Sequence, residues 1–541
     1  MKKNYFIYFF IYLIGISHWL FFFYFVDYYE YKKIDIREEI KITNYNSHIM
    51  SVNLDGKFFF KIPISVKKLS DRILKGDKEL LKSIRNKADI KNLFKAKKFS
   101  ENDLYTEHKA LEVWKNSIES NIIPYHSSYG VGNGPKLDRF LGNPMITISP
   151  QIFLLKFIST QAFFFINLLF MFTIGYLGCI FIKKKFNLGF AAFIIFLLIY
   201  NFNGYFITKI PCYGPHFMGY FILPFFLCFV FIASKYKEEI ISKKISIGIL
   251  LGLSNALILL QGSIHLYTIS VTFLIFWGIW NYKLYIITFS SFIINFLLSS
   301  IKIIPAYLSY GSSENHRYWE AGGYGNLSTF FNGFVSAKEV FSYPPFSIHE
   351  LSLYISFFGL LFICIFGFYN FFDDRKGDKQ IFKSLSIPVL LLIFISFRHF
   401  KHLILPNWIP LLNSESVTSR YMIIPLLVIS LIAVINFQNI IKNSFFNLKI
   451  KIVTYSFILF LFLSLMNNSR IWRMHQVENK MLWYNKLTSI NPIMNNKPLI
   501  ENNFNDIIYI NSFWFGSFIT LTTVLFIILW FVKLRFISKI N

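Results

Sequence analysis

One repeated length constrains this chain more than anything else. Apolar blocks of about 17–25 residues recur along it, each long enough to cross a hydrocarbon layer about 30 Å thick at 1.5 Å per helical residue. A backbone in hydrocarbon must satisfy its own polar groups, so such blocks fold as helices. About twelve are legible, near 5–26, 158–182, 187–206, 217–234, 245–261, 264–281, 284–304, 350–371, 384–398, 421–438, 452–467 and 512–532. The block 384–398 is short, and only "QGSIH" separates 245–261 from 264–281. The expected fold is an all-α polytopic membrane protein with a large first extracytoplasmic α(+β) loop.

Composition agrees. The 541 residues are 54% hydrophobic, with a mean hydropathy of +0.47, which is rare for soluble domains. The formal charge of +26 invites a nucleic-acid partner, but most basic residues flank apolar blocks, where they set topology. The sequence therefore points to membrane lipids and away from nucleic acid. Cys179, Cys212, Cys228 and Cys364 form no CxxC, which speaks against a disulfide framework or zinc site. The opening "MKKNYFIYFFIYLIGISHWLFFFYFV" has too long an apolar stretch, and no small-x-small site, for a cleaved signal; it reads as a retained helix.

Orientation follows from lysine and arginine in the short connections. Lys2, Lys3, the run Lys183–Lys185, the segment 234–244, Lys283, the segment 373–379, Lys442, Lys449, Lys451, Lys533, Arg535 and Lys539 all fall on one side if the chain crosses twelve times. Both termini are expected in the cytoplasm, with the chain multi-pass in a bacterial cytoplasmic (inner) membrane. The expected organisation is a first helix in 1–26, an outer subdomain in 27–150 and helices two to seven in 151–304. An outer loop in 305–349 and helices eight to eleven in 350–467 follow, then an outer segment in 468–511 and the last helix with a cytoplasmic tail in 512–541. A shorter outer connection spans 399–420. Within 27–150, "SVNLDGKFFFKIPI" predicts a strand pair, and 67–120 predicts roughly two amphipathic helices. "PYHSSYGVGNGPKLDRFLGNPMITISP" then predicts a fixed, turn-rich backbone.

Several outer residues are suited to chemistry. Asp27 stands at the exit of the first helix, beside Tyr28 and Tyr29. It is either an interface marker or a general base meeting a lipid-anchored head group. Glu30 lies about one turn on and shares that choice. Asp138 and Arg139 sit in the glycine-rich stretch, which is either a re-entry linker or a wall of the site. His216 and His265 stand at the mouths of two helices, where two histidines at one depth can contact a phosphate. Arg317 lies in "SENHRYWEAGGYG", a charged and aromatic mixture suited to a sugar or phosphate. Arg420, preceded by Glu415 and Ser419, opens a late helix; it either snorkels or clamps a phosphate with its fork. No HExxH, paired cysteine or DxD on the outer face argues for a metal. No motif calls for a cofactor, and a divalent cation stays open.

The order of these features resembles the GT-C superfamily of membrane glycosyltransferases, and more closely its bacterial YfhO-like type. The likeness runs over roughly 5–440. It is carried by the first helix with Asp27 and a large outer loop, and by "GNPMITISPQIFLL", "YGPHFMGYFILPF", "SSIKIIPAYL" and "SRYMIIPLL". Pro215 interrupts the expected glycine–histidine pair, and the lysine-rich middle of the first loop matches no family pattern. The resemblance implies a GT-C-like fold and a polyprenyl-phosphate-linked sugar donor. The acceptor would be an envelope glycan or glycolipid. It also implies that Asp27 is the catalytic base, with His216, Arg317 and Arg420 at the donor. Two other classes stay open: a transporter or flippase of lipid-linked glycans, and a non-catalytic envelope-assembly protein.

Overall fold

The computed structural model describes residues 2–24, 50–54, 57–62, 103–127, 139–236, 239–310, 322–337, 348–368, 379–405, 415, 417–441, 448–494, 500–501 and 506–540. The elements in chain order are α1 (Lys2–Tyr24), β1 (Met50–Leu54), β2 (Lys57–Ile62), α2 (Asp103–Ser120), β3 (His126–Ser127), α3 (Thr160–Lys185) and α4 (Phe190–Phe202). Next come α5 (Gly204–Tyr213), α6 (Leu223–Ala233), α7 (Ile241–Leu260), α8 (Ile264–Trp280), α9 (Tyr285–Tyr310) and α10 (Leu327–Val335). The last are α11 (Ile348–Leu351), α12 (Ser356–Phe362), α13 (Lys379–Ser396), α14 (Lys401–Ile404), α15 (Ile423–Ile441), α16 (Leu448–Met494), β4 (Ile500–Glu501) and α17 (Ile507–Ile540).

Among the described residues, eight helices are long and apolar enough to cross a membrane. Four shorter apolar helices, Phe6–Phe22, Ile264–Trp280, Ser356–Gly367 and Ile381–Ser396, fall at the other expected positions. The chain is a multi-pass, helical membrane protein. Helices α4 and α15 run through its centre, with nearly every residue buried. Helices α16 and α17 lie at the periphery and expose Leu459, Phe460, Phe518, Leu521, Leu525 and Leu529, a face suited to lipid tails.

Local chemistry explains the helix ends. Ser159 caps α3 by accepting from the Ala162 N–H, and Lys183–Lys185 occupy its last turn, where cations offset the helix dipole. Strand β1 pairs antiparallel with β2, as the sequence predicts. Of the region 67–120, α2 is described. It lies beside the 3-10 turn Pro150–Lys156, and Thr160 Oγ1 donates to Glu112 Oε1 at 2.7 Å.

Four boundaries differ from expectation. The stretch between helices three and four is no loop: α5 and the 3-10 turn Gly214–Ile222 fill it. Asn203 makes the break, because its Oδ1 accepts from Phe206 N at 3.2 Å while its Nδ2 donates to Tyr220 Oη at 2.8 Å. Helix eight starts late: α11, a non-helical step over 352–355, α12 and a π-helical turn (Ile363–Phe368) replace one run from 350. Helix seven, α9, continues past 304 through its internal Pro305 to Tyr310. Helix eleven, α16, continues past 467 to Met494, with no glycine, and no proline until Pro492, to stop it.

Candidate functional site

The bundle has two ends. At one, Ser384 Oγ meets Ser234 Oγ at 2.9 Å, Trp277 Nε1 donates to Ser384 Oγ at 3.0 Å, and Trp530 Nε1 donates to Ser246 Oγ at 3.2 Å. This end holds neutral staples and an open pocket of about 150 Å³ lined by Tyr236, Ser242, Lys243, Ser246, Ile247 and Leu534. The opposite end gathers charge.

There, Arg420 sits in the 3-10 turn Thr418–Met422 that leads into α15. Its guanidinium grips Glu350 of α11 with two bonds, Nε to Oε2 at 2.9 Å and Nη2 to Oε1 at 2.5 Å. Lys209 of α5 reaches the same carboxylate, Nζ to Oε2, at 2.5 Å. The third side of the Arg420 fork faces Glu415, Nη1 to Oε1 at 3.3 Å. The other oxygen of Glu415 takes His265 Nδ1, in the first turn of α8, at 2.5 Å. A continuous chain of charge therefore runs Lys209, Glu350, Arg420, Glu415, His265. Phe217 forms its floor: the Arg420 guanidinium lies 5.5 Å and the Lys209 ammonium 5.9 Å from the ring centre, and the His265 ring stacks at 5.9 Å and 15°.

The backbone around the chain is tied down. Ser419 Oγ donates to Glu350 O at 2.8 Å and to Gly322 O at 3.0 Å, joining two segments distant in the chain. Lys401 Nζ donates to Glu415 O at 2.6 Å. Lys302 of α9 donates to Pro144 O at 2.7 Å and Leu259 O at 2.8 Å. His216 bonds the Met145 backbone and lies within electrostatic reach of His265, Lys302 and Arg420. Tyr205, buried beside Lys209, has a hydroxyl with no hydrogen bond among the described residues.

Taking charges out of water costs several kcal/mol per ion, and each carboxylate offsets that only by bridging two cationic groups. Glu415 shows the balance. Burial pushes its carboxyl up, but His265 and Arg420, with the hydrogen bonds from His265 and the Val417 N–H, pull it down from the ordinary 4.5 to about 2. Burial pushes the Lys401 ammonium below its usual range, with Glu415 opposing the shift.

The segment Gly142–Pro150 closes over this end. Ile148 N donates to Leu260 O at 2.8 Å, and Thr147 Oγ1 donates to Gln261 O at 3.2 Å. Gly262 turns beneath it at φ +79°, with Met145 O where a Cβ would stand.

Of the residues expected from sequence, Arg420, His216 and His265 come together here. Arg139 belongs to a separate clasp. It grips Asp506 with Nε at 2.6 Å and Nη2 at 2.8 Å, donates to Leu308 O at 2.9 Å, and lies 4.8 Å from the Tyr509 ring centre. Leu308 is six residues beyond Lys302 on α9, about 9 Å along the axis. Asp27, Glu30, Asp138 and Arg317 lie outside the described residues. Helix α1 runs toward the cluster: Trp19 packs edge-on against Phe206, 5.5 Å between centres, one turn before Lys209. Among the described residues no three His, Cys, Asp or Glu side chains are grouped to hold a metal.

Sequence reading missed Lys209, Glu350 and Lys401 and noted Lys302 and Glu415 only as neighbours in a motif. Their shared signal is a charged residue at the edge of an apolar block, which is rare and functional by default in a membrane protein. No family model, no curated protein and no solved structure matches the chain, so the reading of this site rests on its own geometry.

Proposed function

We propose that the protein is a membrane glycosyltransferase with a GT-C-like arrangement of twelve crossings. It moves a sugar from a polyprenyl-phosphate-linked donor to an envelope glycan or glycolipid on the extracytoplasmic face. The observation that carries this reading is the convergence of Arg420, Lys209 and His265 on two carboxylates at one end of the bundle, with His216, Lys302 and Lys401 held by backbone groups around them. Such a constellation is costly to bury and suits an anionic head group presented at the membrane surface.

In this mechanism Asp27 takes the proton from an acceptor hydroxyl as its oxygen attacks the anomeric carbon. The bond to the phosphate oxygen breaks, the electron pair stays on that oxygen, and the sugar inverts. Arg420, with His216 and His265, stabilises the charge that builds on the leaving phosphate. Arg317 completes the donor contact. The test is Asp27→Asn in the native host, with membrane abundance matched to wild type. Loss of one envelope-glycan modification with accumulation of its polyprenyl-linked precursor is expected; an unchanged glycan excludes Asp27 as base.

One observation favours a second reading. The α4, α5 and Gly214–Ile222 run is an interrupted helix, a feature of transporters and flippases. In sealed vesicles a flippase moves an intact lipid-linked sugar across, whereas a transferase releases polyprenyl phosphate.

A further inference from the structure

Among the paired side chains of the cluster, His265 is the most exposed. The side chains of Lys209, Glu350, Glu415 and Arg420 are at most 6% exposed, whereas His265 is 19% exposed. Two contacts hold its ring. Glu415 is ionised at any physiological pH and accepts hydrogen bonds only, so Nδ1 carries a hydrogen and donates it to Oε2. Phe217 stacks on the ring face. The second nitrogen, Nε2, makes no hydrogen bond among the described residues. A carboxylate that fixes one nitrogen of a histidine and presents the other is the arrangement used where an imidazole must meet a ligand in one tautomer.

We propose that His265, positioned by Glu415, is the pH-sensitive contact of this site: protonated, it donates its Nε2 hydrogen to a phosphate oxygen of the polyprenyl phosphate that leaves the donor, a lipid-linked phosphomonoester, and neutral, it does not. This deepens the donor reading above and rests on it. In the neutral ring Nε2 presents a lone pair to an anion, which repels it. In the imidazolium both nitrogens donate, one to Glu415 and one to the ligand, and both bonds are charge-assisted. Binding the ligand is then linked to holding one proton.

Among the described residues, Glu415 bonds the ring and Arg420 shares that carboxylate, both from the chain entering α15; His216, in the turn Gly214–Ile222, lies within electrostatic reach of the ring, and Lys302 of α9 within reach of His216. Lys401, Lys209 and Glu350 act one residue further away, through Glu415 or Arg420. Glu415 and Arg420 keep their charges across the working range, so the proton taken up with the ligand is the one His265 holds. The Tyr205 hydroxyl, within electrostatic reach of Arg420, Glu415 and Glu350, supplies a second donor on the same side.

The test uses the full chain in nanodiscs and measures affinity from pH 5.5 to 8 for three probes: a polyprenyl monophosphate, the uncharged polyprenol, and inorganic phosphate. For the monophosphate, wild type is expected to lose about tenfold in affinity relative to His265→Gln as the pH is raised across the range. The ligand's own second ionisation near pH 6 is common to both proteins and cancels in that comparison. Glu415→Gln should shrink the His265-dependent part of the profile, because the ring loses the carboxylate that fixes it. Parallel profiles for wild type and His265→Gln, at matched unfolding temperature, would overturn the contact and leave the donor reading standing. Inorganic phosphate bound as tightly, with the same His265-dependent profile, keeps the contact and overturns the lipid-linked donor. No binding of the monophosphate at any pH overturns both. Should His265→Gln not fold, a polyprenyl sulfate, singly charged throughout, decides from wild type alone: a flat profile sinks the proposal.

Discussion

Glu350 carries more of this site than its place in the sequence suggests. Two cations, Arg420 and Lys209, share one carboxylate that is almost fully buried. Removing the charge leaves both cations facing each other in a poorly hydrated site, a change of about 3–5 kcal/mol for a buried pair. Glu350→Gln is therefore expected to lower the unfolding temperature sharply. Lys243→Gln, which breaks an exposed pair one helical turn apart, should move it barely, since such pairs contribute only about 0.3–0.5 kcal/mol. Comparable shifts in a melting assay would mean that the Glu350 site is hydrated. Arg420→Lys should not restore what Arg420 does, because an ammonium cannot hold Glu350 with two bonds and also reach Glu415. Glu415 adds a pH signature. Its carboxyl is lowered from 4.5 to about 2, so the folded state prefers its ionised form. That stability is fully present above pH 4.5 and is lost as pH falls toward 2. Melting curves over this window should slope in wild type and lose that component in Glu415→Gln. At this scale Arg420 and His265 were legible in the sequence, as polar residues at helix mouths. Glu350 was not, because its role depends on two partners 70 and 141 residues away.

Among the elements, the breaks in helices matter more than the helices. The apolar blocks were legible because the membrane fixes their length. The break at Asn203 was not, because its cap needs Tyr220 from the next element. The tight "QGSIH" connection was legible as a turn. Why it must contain glycine became clear only from what lies above it. Gly262 is left-handed, at φ +79°, with Met145 O against the space a Cβ would need. Gly262→Ala is expected to cost about 1–3 kcal/mol through backbone strain and displacement of the 142–150 segment. Gly325→Ala, which meets open space, is the matched control. Equal melting temperatures for the two variants would show that the 142–150 segment shifts without cost. Because Lys302 holds this same segment through Pro144 O, Gly262→Ala should also weaken ligand binding at the charged end.

For the whole molecule, the clasp of Arg139 on Asp506 joins the segment that precedes α3 to the start of the last helix, 367 residues apart. Tyr509 adds to it by accepting from Gly142 N and donating to Tyr125 O. A double-mutant cycle between Arg139→Ala and Asp506→Ala should give a coupling of about 1–3 kcal/mol, typical of contacting residues in one network. A coupling near zero would reduce the clasp to a solvated surface pair. Arg139, expected in a stretch that is either a re-entry linker or a wall of the site, joins this clasp, because its fork found a carboxylate no sequence pattern linked to it. Taken alone, the sequence determined that the chain is a multi-pass helical membrane protein, and which residues fall at the ends of its apolar blocks. Hydrophobic length and backbone satisfaction in lipid are local properties, readable within about twenty residues. Only the tertiary structure decided which of those ends meet. Charge pairing among Lys209, His265, Glu350, Glu415 and Arg420 comes from four separate segments, and burial sets its strength. No local pattern encodes a contact that exists only after the helices pack.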